Sequence, residues 1–164
     1  MGDWTGTVPT ILAGDVVTGD DWQNITDELT ALADDGTPWV PTLTNLTLGD
    51  GTQTAKYRRV GKWVDWYWQF LLGSTSAVGT SPTFTLPAAP ASFYVATNPA
   101  FPGSVHLLDT GVAERQGTVK ISSGSTLGIT FWNATPALAA VTATAPWTWA
   151  TGDYMTAWGT YLTT

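Results

Sequence analysis

Serine-type hydrolysis needs a hydroxyl, an imidazole and a carboxylate in one hydrogen-bonded line. The single imidazole in these 164 residues belongs to His106. Ser104 stands two residues before it, on the same face of an extended strand, yet no nucleophile-elbow motif surrounds either residue. His106 is therefore expected at a surface or an interface. The paired acids Asp20-Asp21 and Asp34-Asp35 have the chemistry for glycoside hydrolysis, but they flank a predicted helix, where acids and turn residues occur for other reasons. No catalytic residue is assigned, and the chain reads as a non-enzyme. Cysteine is absent, which removes disulfides, thiolate catalysis and thiolate-bound metals. The remaining oxygen donors lack EF-hand spacing. No metal ligand and no cofactor is assigned, and Ca2+ at a threefold axis or in a loop is the one ion left open. Asn24, Asn45 and Asn133 each open an Asn-x-Thr triplet, which follows from abundant Thr and is given no role.

The chemistry that the sequence does supply is aromatic. Ten Trp residues are present, and aromatic faces stack on sugar rings and anchor protein interfaces. In the segment 63–72, Val64, Trp66, Trp68, Phe70 and Leu72 alternate with Trp63, Asp65, Tyr67, Gln69 and Leu71, so the first set should face a core. Trp63 and Tyr67 are then left outward, as candidate contacts for a glycan or for a neighbouring subunit. Arg58 and Arg59 beside them either pair with acids of a neighbour or stay solvated.

The elements that must position these residues are mostly strands. Gly (17), Pro (10) and abundant Thr, with few Lys, Arg and Glu, favour β structure in one domain plus a short appendage. A net charge of −7 argues against nucleic acid as a partner. No apolar run reaches the ~18 residues of a membrane span, and no basic-then-apolar leader opens the chain; membrane insertion is not expected, and synthesis as a soluble cytoplasmic chain is.

Acids from Asp3 to Asp35 occupy the first segment without a single Lys or Arg. Met1 to Val17 lacks helical spacing and reads as an extended arm whose apolar string, Val8, Ile11, Leu12, Val16 and Val17, needs a surface to lie on. A helix is predicted over 19–33, with Thr18 as N-cap and Asp21 three residues later. Trp22, Ile25, Leu29 and Leu32 recur at spacings of three, four and three, the a/d seam of a coiled coil. So short a helix needs partner helices or a domain surface to persist, and both remain open. Gly36, Pro38 and Pro41 end it and lead into the β region.

Leu43 to Leu48 and Gln53 to Val60 flank Gly49-Asp50-Gly51, a hairpin turn signal. Gly61-Lys62 predicts a tight turn into Trp63 to Leu72. A loop is expected over Gly73 to Ser81. Further strands are expected at Thr83 to Leu86, Ser92 to Ala96, Ser104 to Leu108, Thr118 to Ser122, Thr126 to Trp132 and Tyr154 to Leu162. Without crossover helices this pattern favours a sandwich or jelly roll over a parallel α/β fold.

Two stretches carry a resemblance: Trp39-Val40-Pro41-Thr42-Leu43-Thr44-Asn45-Leu46-Thr47-Leu48-Gly49-Asp50-Gly51-Thr52, and Ala55-Lys56-Tyr57-Arg58-Arg59-Val60-Gly61-Lys62-Trp63-Val64. Together with Leu72-Gly73-Ser74-Thr75-Ser76, Ser81-Pro82-Thr83-Phe84-Thr85-Leu86-Pro87 and Pro146-Trp147-Thr148-Trp149-Ala150-Thr151-Gly152-Asp153, they resemble the β-sandwich module of minor tail, tail-fibre and decoration proteins of phages that infect actinobacteria. The N-terminal Thr5-Gly6-Thr7-Val8-Pro9-Thr10 and the 18–32 helix are similar to the virion-attachment heads of such proteins. The aromatic run Trp63-Val64-Asp65-Trp66-Tyr67-Trp68 departs from the smaller residues that relatives tend to carry there.

The resemblance implies a jelly-roll-like antiparallel β-sandwich over 38–164, exposed on the virion surface, behind a 1–37 arm and short helix that attach it and form a trimeric bundle. The expectation is a homotrimeric, tail-associated virion protein that contacts other virion proteins, with a host-surface glycan contact left open. A capsid decoration protein or head fibre is the alternative, a soluble glycan-binding lectin the remote one, and a cell-wall hydrolase a further rival.

Overall fold

The computed structural model describes Gly19, Asp20, Trp22, Gln23, Thr26 and Leu29, then residues 35–164 apart from 96–99 and 136. The expected arm residues Val8, Ile11, Leu12, Val16 and Val17, and the seam residues Ile25 and Leu32, lie outside the described residues. Trp22, Gln23, Thr26 and Leu29 are helical, and the Thr26 hydroxyl donates to the Trp22 carbonyl four residues back (2.8 Å).

Ten strands follow: β1 (Thr37–Pro38), β2 (Leu43–Thr47), β3 (Thr52–Val60), β4 (Trp63–Leu71), β5 (Ala77–Thr85), β6 (Gly103–Asp109), β7 (Ala113–Ser123), β8 (Thr126–Trp132), β9 (Leu138–Ala140) and β10 (Tyr154–Leu162). All pair antiparallel in one sheet of order β1-β3-β4-β10-β6-β7-β8-β5-β2, with β9 beside β8. The chain is thus mostly β.

Period-two alternation builds the core. Val64, Trp66, Trp68, Phe70 and Leu72 are all buried, whereas Trp63, Tyr67 and Leu71 are exposed. Trp68 stacks on Phe84 of β5, with centroids 4.3 Å apart and an interplanar angle of 15°, and Trp66 meets the same ring edge-on at 5.8 Å. β4 and β5 are far apart in strand order, so these contacts require the sheet to curl until its two halves face each other. Leu107, Val119, Leu127, Ile129 and Met155 fill the space between.

The curl also brings the two edges together. β1 extends the β3 edge, and after residues 39–42 the same chain becomes β2 and extends the β5 edge. Trp39 bridges them: its backbone N–H donates to Ala55 (3.1 Å) and its indole N–H donates to the Thr85 carbonyl (3.3 Å). Edge strands left bare invite pairing with other chains; here residues 37–39 pair along part of β3, while β2 is the last strand at the other end.

Three sequence expectations are corrected. Gly49-Asp50-Gly51 does not close a hairpin, because β2 pairs with β5 and β3 with β4; the turn crosses from one edge of the curled sheet to the other. The expected Gly73 to Ser81 loop ends early, at β5, which starts at Ala77. Gly79 to Pro82 bulge opposite Asn45, with Asn45 and Ser81 both at positive φ, so Pro82 sits in a strand that loop-forming residues disguised. The expected strand at Ser92 to Ala96 is one helical turn, α1 (Ser92–Val95), held by Ala91 N–H donating to Leu162 and by the Tyr94 hydroxyl accepting from Leu162 N–H (3.3 Å). Short β1 and β9 carry too few residues for a period to show.

Candidate interaction face

The β3–β4 hairpin sets the outward face. Val60 pairs with Trp63 across Gly61-Lys62, and Gly61 has φ +59, the positive value that the first position of a II′ turn demands of glycine. This register places Lys56 opposite Tyr67 and Arg58 opposite Asp65. On the other side of β4, β10 places Trp158 opposite Tyr67, Thr160 opposite Asp65 and Thr156 opposite Gln69. β10 approaches β6 closely at Gly103 and Gly159; a Cβ on Gly103 would lie 2.1 Å from the Trp158 carbonyl oxygen.

Tyr67 and Trp158 are therefore cross-strand neighbours, 37% and 46% exposed, while Trp63, 53% exposed, lies four residues, roughly 13 Å, along β4. Trp63 and Tyr67, the pair that alternation picks out, are both exposed on β4, and the cross-strand neighbour of Tyr67 is Trp158. Alternation along β10 marks Trp158 as outward, but the register that puts it beside Tyr67 is a long-range fact.

Polar rows separate the apolar ones. Asp65 accepts from the Thr160 hydroxyl (2.5 Å) and from Arg58 (3.3 Å), and Gln69 donates to the Thr156 hydroxyl (3.3 Å). Beside Tyr67 an open groove of about 330 Å3 is lined by Asp35, Lys56, Arg58, Asp65, Trp66 and Tyr67, among others. Lys56 is ion-paired to Asp35. The Trp66 indole N–H is buried and finds no acceptor among the described residues.

Other candidates resolve into structural contacts. His106 lies outward on β6 with its Nε2 2.9 Å from Glu114 Oε2. Residues two apart on a strand are separated by ~7 Å, too far for Ser104 and His106 to share the hydrogen bond that nucleophile activation needs. Asp20 is exposed on helical backbone, and Asp21 and Asp34 lie outside the described residues. Asp50, in the Gly49-Asp50-Gly51 turn, accepts from the Ser74 hydroxyl (2.6 Å), the Thr75 N–H (2.7 Å) and the Thr75 hydroxyl (2.9 Å). The Ser74 bond, followed by those from Thr75, holds its carboxyl well below the usual carboxylate range. Ser76 adds a bond to Leu48 (2.5 Å), so two motifs distant in sequence interlock. Asp153, buried at the start of β10, accepts from the Thr110 and Ala150 N–H groups (3.0 and 2.8 Å). Among the described residues no three of His, Asp and Glu cluster as metal ligands.

No family model, curated protein or solved structure matches the chain.

Proposed function

We propose that this chain is a non-enzymatic structural protein of a phage virion, a homotrimer associated with the tail, whose curled sheet forms a jelly-roll-like sandwich displayed at the particle surface. One observation carries the trimer: Trp22 and Leu29, a heptad apart on helical backbone, are each 61% exposed. Two large apolar side chains on one seam, left in water by their own β domain, call for partner helices. The virion setting is supported by the resemblance, whose Gly49-Asp50-Gly51 and Leu72–Ser76 motifs meet through Asp50. The arm residues Val8 to Val17 attach the trimer to a neighbouring virion protein.

The test is mass spectrometry on particles purified from a lysate of the phage that encodes the chain. The protein should be a stoichiometric component, present in a small multiple of three copies for a tail position and in shell-wide numbers for a capsid decoration. Its absence from particles contradicts the reading.

A further inference from the structure

We propose that Tyr67 and Trp158, with the groove beside Tyr67, form a binding site for a neutral saccharide. A pyranose presents a C–H face that packs on an aromatic ring and a rim of hydroxyls that donate and accept hydrogen bonds, so its site needs an exposed aromatic flanked by planar polar groups. This face supplies both. Tyr67 and Trp158 lie side by side across β4 and β10, and the carboxylate, guanidinium and amide of Asp65, Arg58 and Gln69 stand in the adjoining positions of β3 and β4. Those polar groups are held before any ligand arrives, Asp65 by Thr160 and Arg58, Gln69 by Thr156, which lowers the ordering cost of binding.

Charge selects the class of sugar. Each cation at the groove has an acid against it, Lys56 with Asp35 and Arg58 with Asp65, so the site offers no unbalanced positive field to a uronic or sialic acid. The same pairs disfavour a second copy of the chain as occupant, because the centre of a permanent subunit interface is depleted in charge, whereas here an ionic row lies directly beside the aromatic one. The inference rests on this face alone and not on the virion reading: loss of sugar binding leaves trimer mass and particle incorporation untouched.

The full chain is probed with immobilised neutral gluco-, galacto-, manno- and arabino-oligosaccharides, and with uronic-acid oligosaccharides as charged counterparts. At least one neutral class should bind. Tyr67→Ala and Trp158→Ala, both at exposed positions, should each weaken binding about tenfold, whereas Trp132→Ala, an exposed aromatic on β8, should leave it within about twofold. Light scattering on the same samples should give unchanged mass. Binding to none of the neutral sugars, preference for the uronic acids, or equal loss in all three variants overturns the proposal. So does a fall in assembly mass for Tyr67→Ala and Trp158→Ala without sugar binding, which assigns the face to a subunit contact.

Discussion

The Asp50 carboxylate takes three bonds from Ser74 and Thr75, and its own backbone N–H donates to the Thr75 hydroxyl (2.9 Å). Because its folded pKa lies below the ordinary 3.8, it stabilises the fold above that value and loses the contribution as pH falls through the acid range. Asp50→Ala should therefore melt below wild type at pH 7, and the gap should narrow below about pH 4 in a series of thermal melts. Tyr161 carries the opposite sign. Burial pushes its hydroxyl up to about 12 while it donates to the Ala88 carbonyl (2.9 Å). Its contribution is present below pH 10 and fades as pH rises toward 12, so Tyr161→Phe should lose about 1 kcal/mol at neutral pH and show a shallower alkaline decline in urea titrations. Asp153→Ala, which strands two N–H groups, should cost about 2 kcal/mol by the same measurement. At this scale the sequence was partly legible. The turn residues around Asp50 announced themselves, but Ser74 and Thr75 as its partners did not, since nothing local signals a contact across 25 positions.

Strands with a clean alternation were readable and those without it were not. β4 and β10 could be placed from inward and outward residues alone, and β8 from its apolar run. β5 could not, because Gly79, Ser81 and Pro82 spell a loop while the bulge opposite Asn45 lets them remain in the sheet. Ser92–Val95 reads as β-prone from Phe93, Tyr94 and Val95, but tertiary hydrogen bonds to Leu162 hold it as a helical turn. Trp158 illustrates the same limit in the candidate site: its outward face follows from period two, its place beside Tyr67 from a pairing 91 positions apart, given by the β4–β10 register. The core contact between Trp68 and Phe84 holds the two halves of the curl together, and Trp68→Ala should cost about 3–5 kcal/mol in denaturant unfolding. For the proposed trimer seam, replacing Ile25 and Leu29 by Asp should shift sedimentation toward monomer without changing the β-sheet circular dichroism.

As a whole molecule the chain separates charge from structure. Acids crowd residues 3–35 without a cation, while Lys56, Arg58, Arg59 and Lys62 cluster on the β3–β4 hairpin. β1 and β2 are the terminal strands of the sheet, and the proposed assembly runs through the helix. Removing residues 1–35 should accordingly leave a folded β domain and abolish incorporation into particles; incorporation at the wild-type level would refute the anchoring role of the arm. The account depends most on the trimer, and the mass of the purified full chain by light scattering tests it directly. It predicts about 52 kDa, three times the 17.4 kDa chain, held on dilution; a stable species of 17.4 kDa would contradict it.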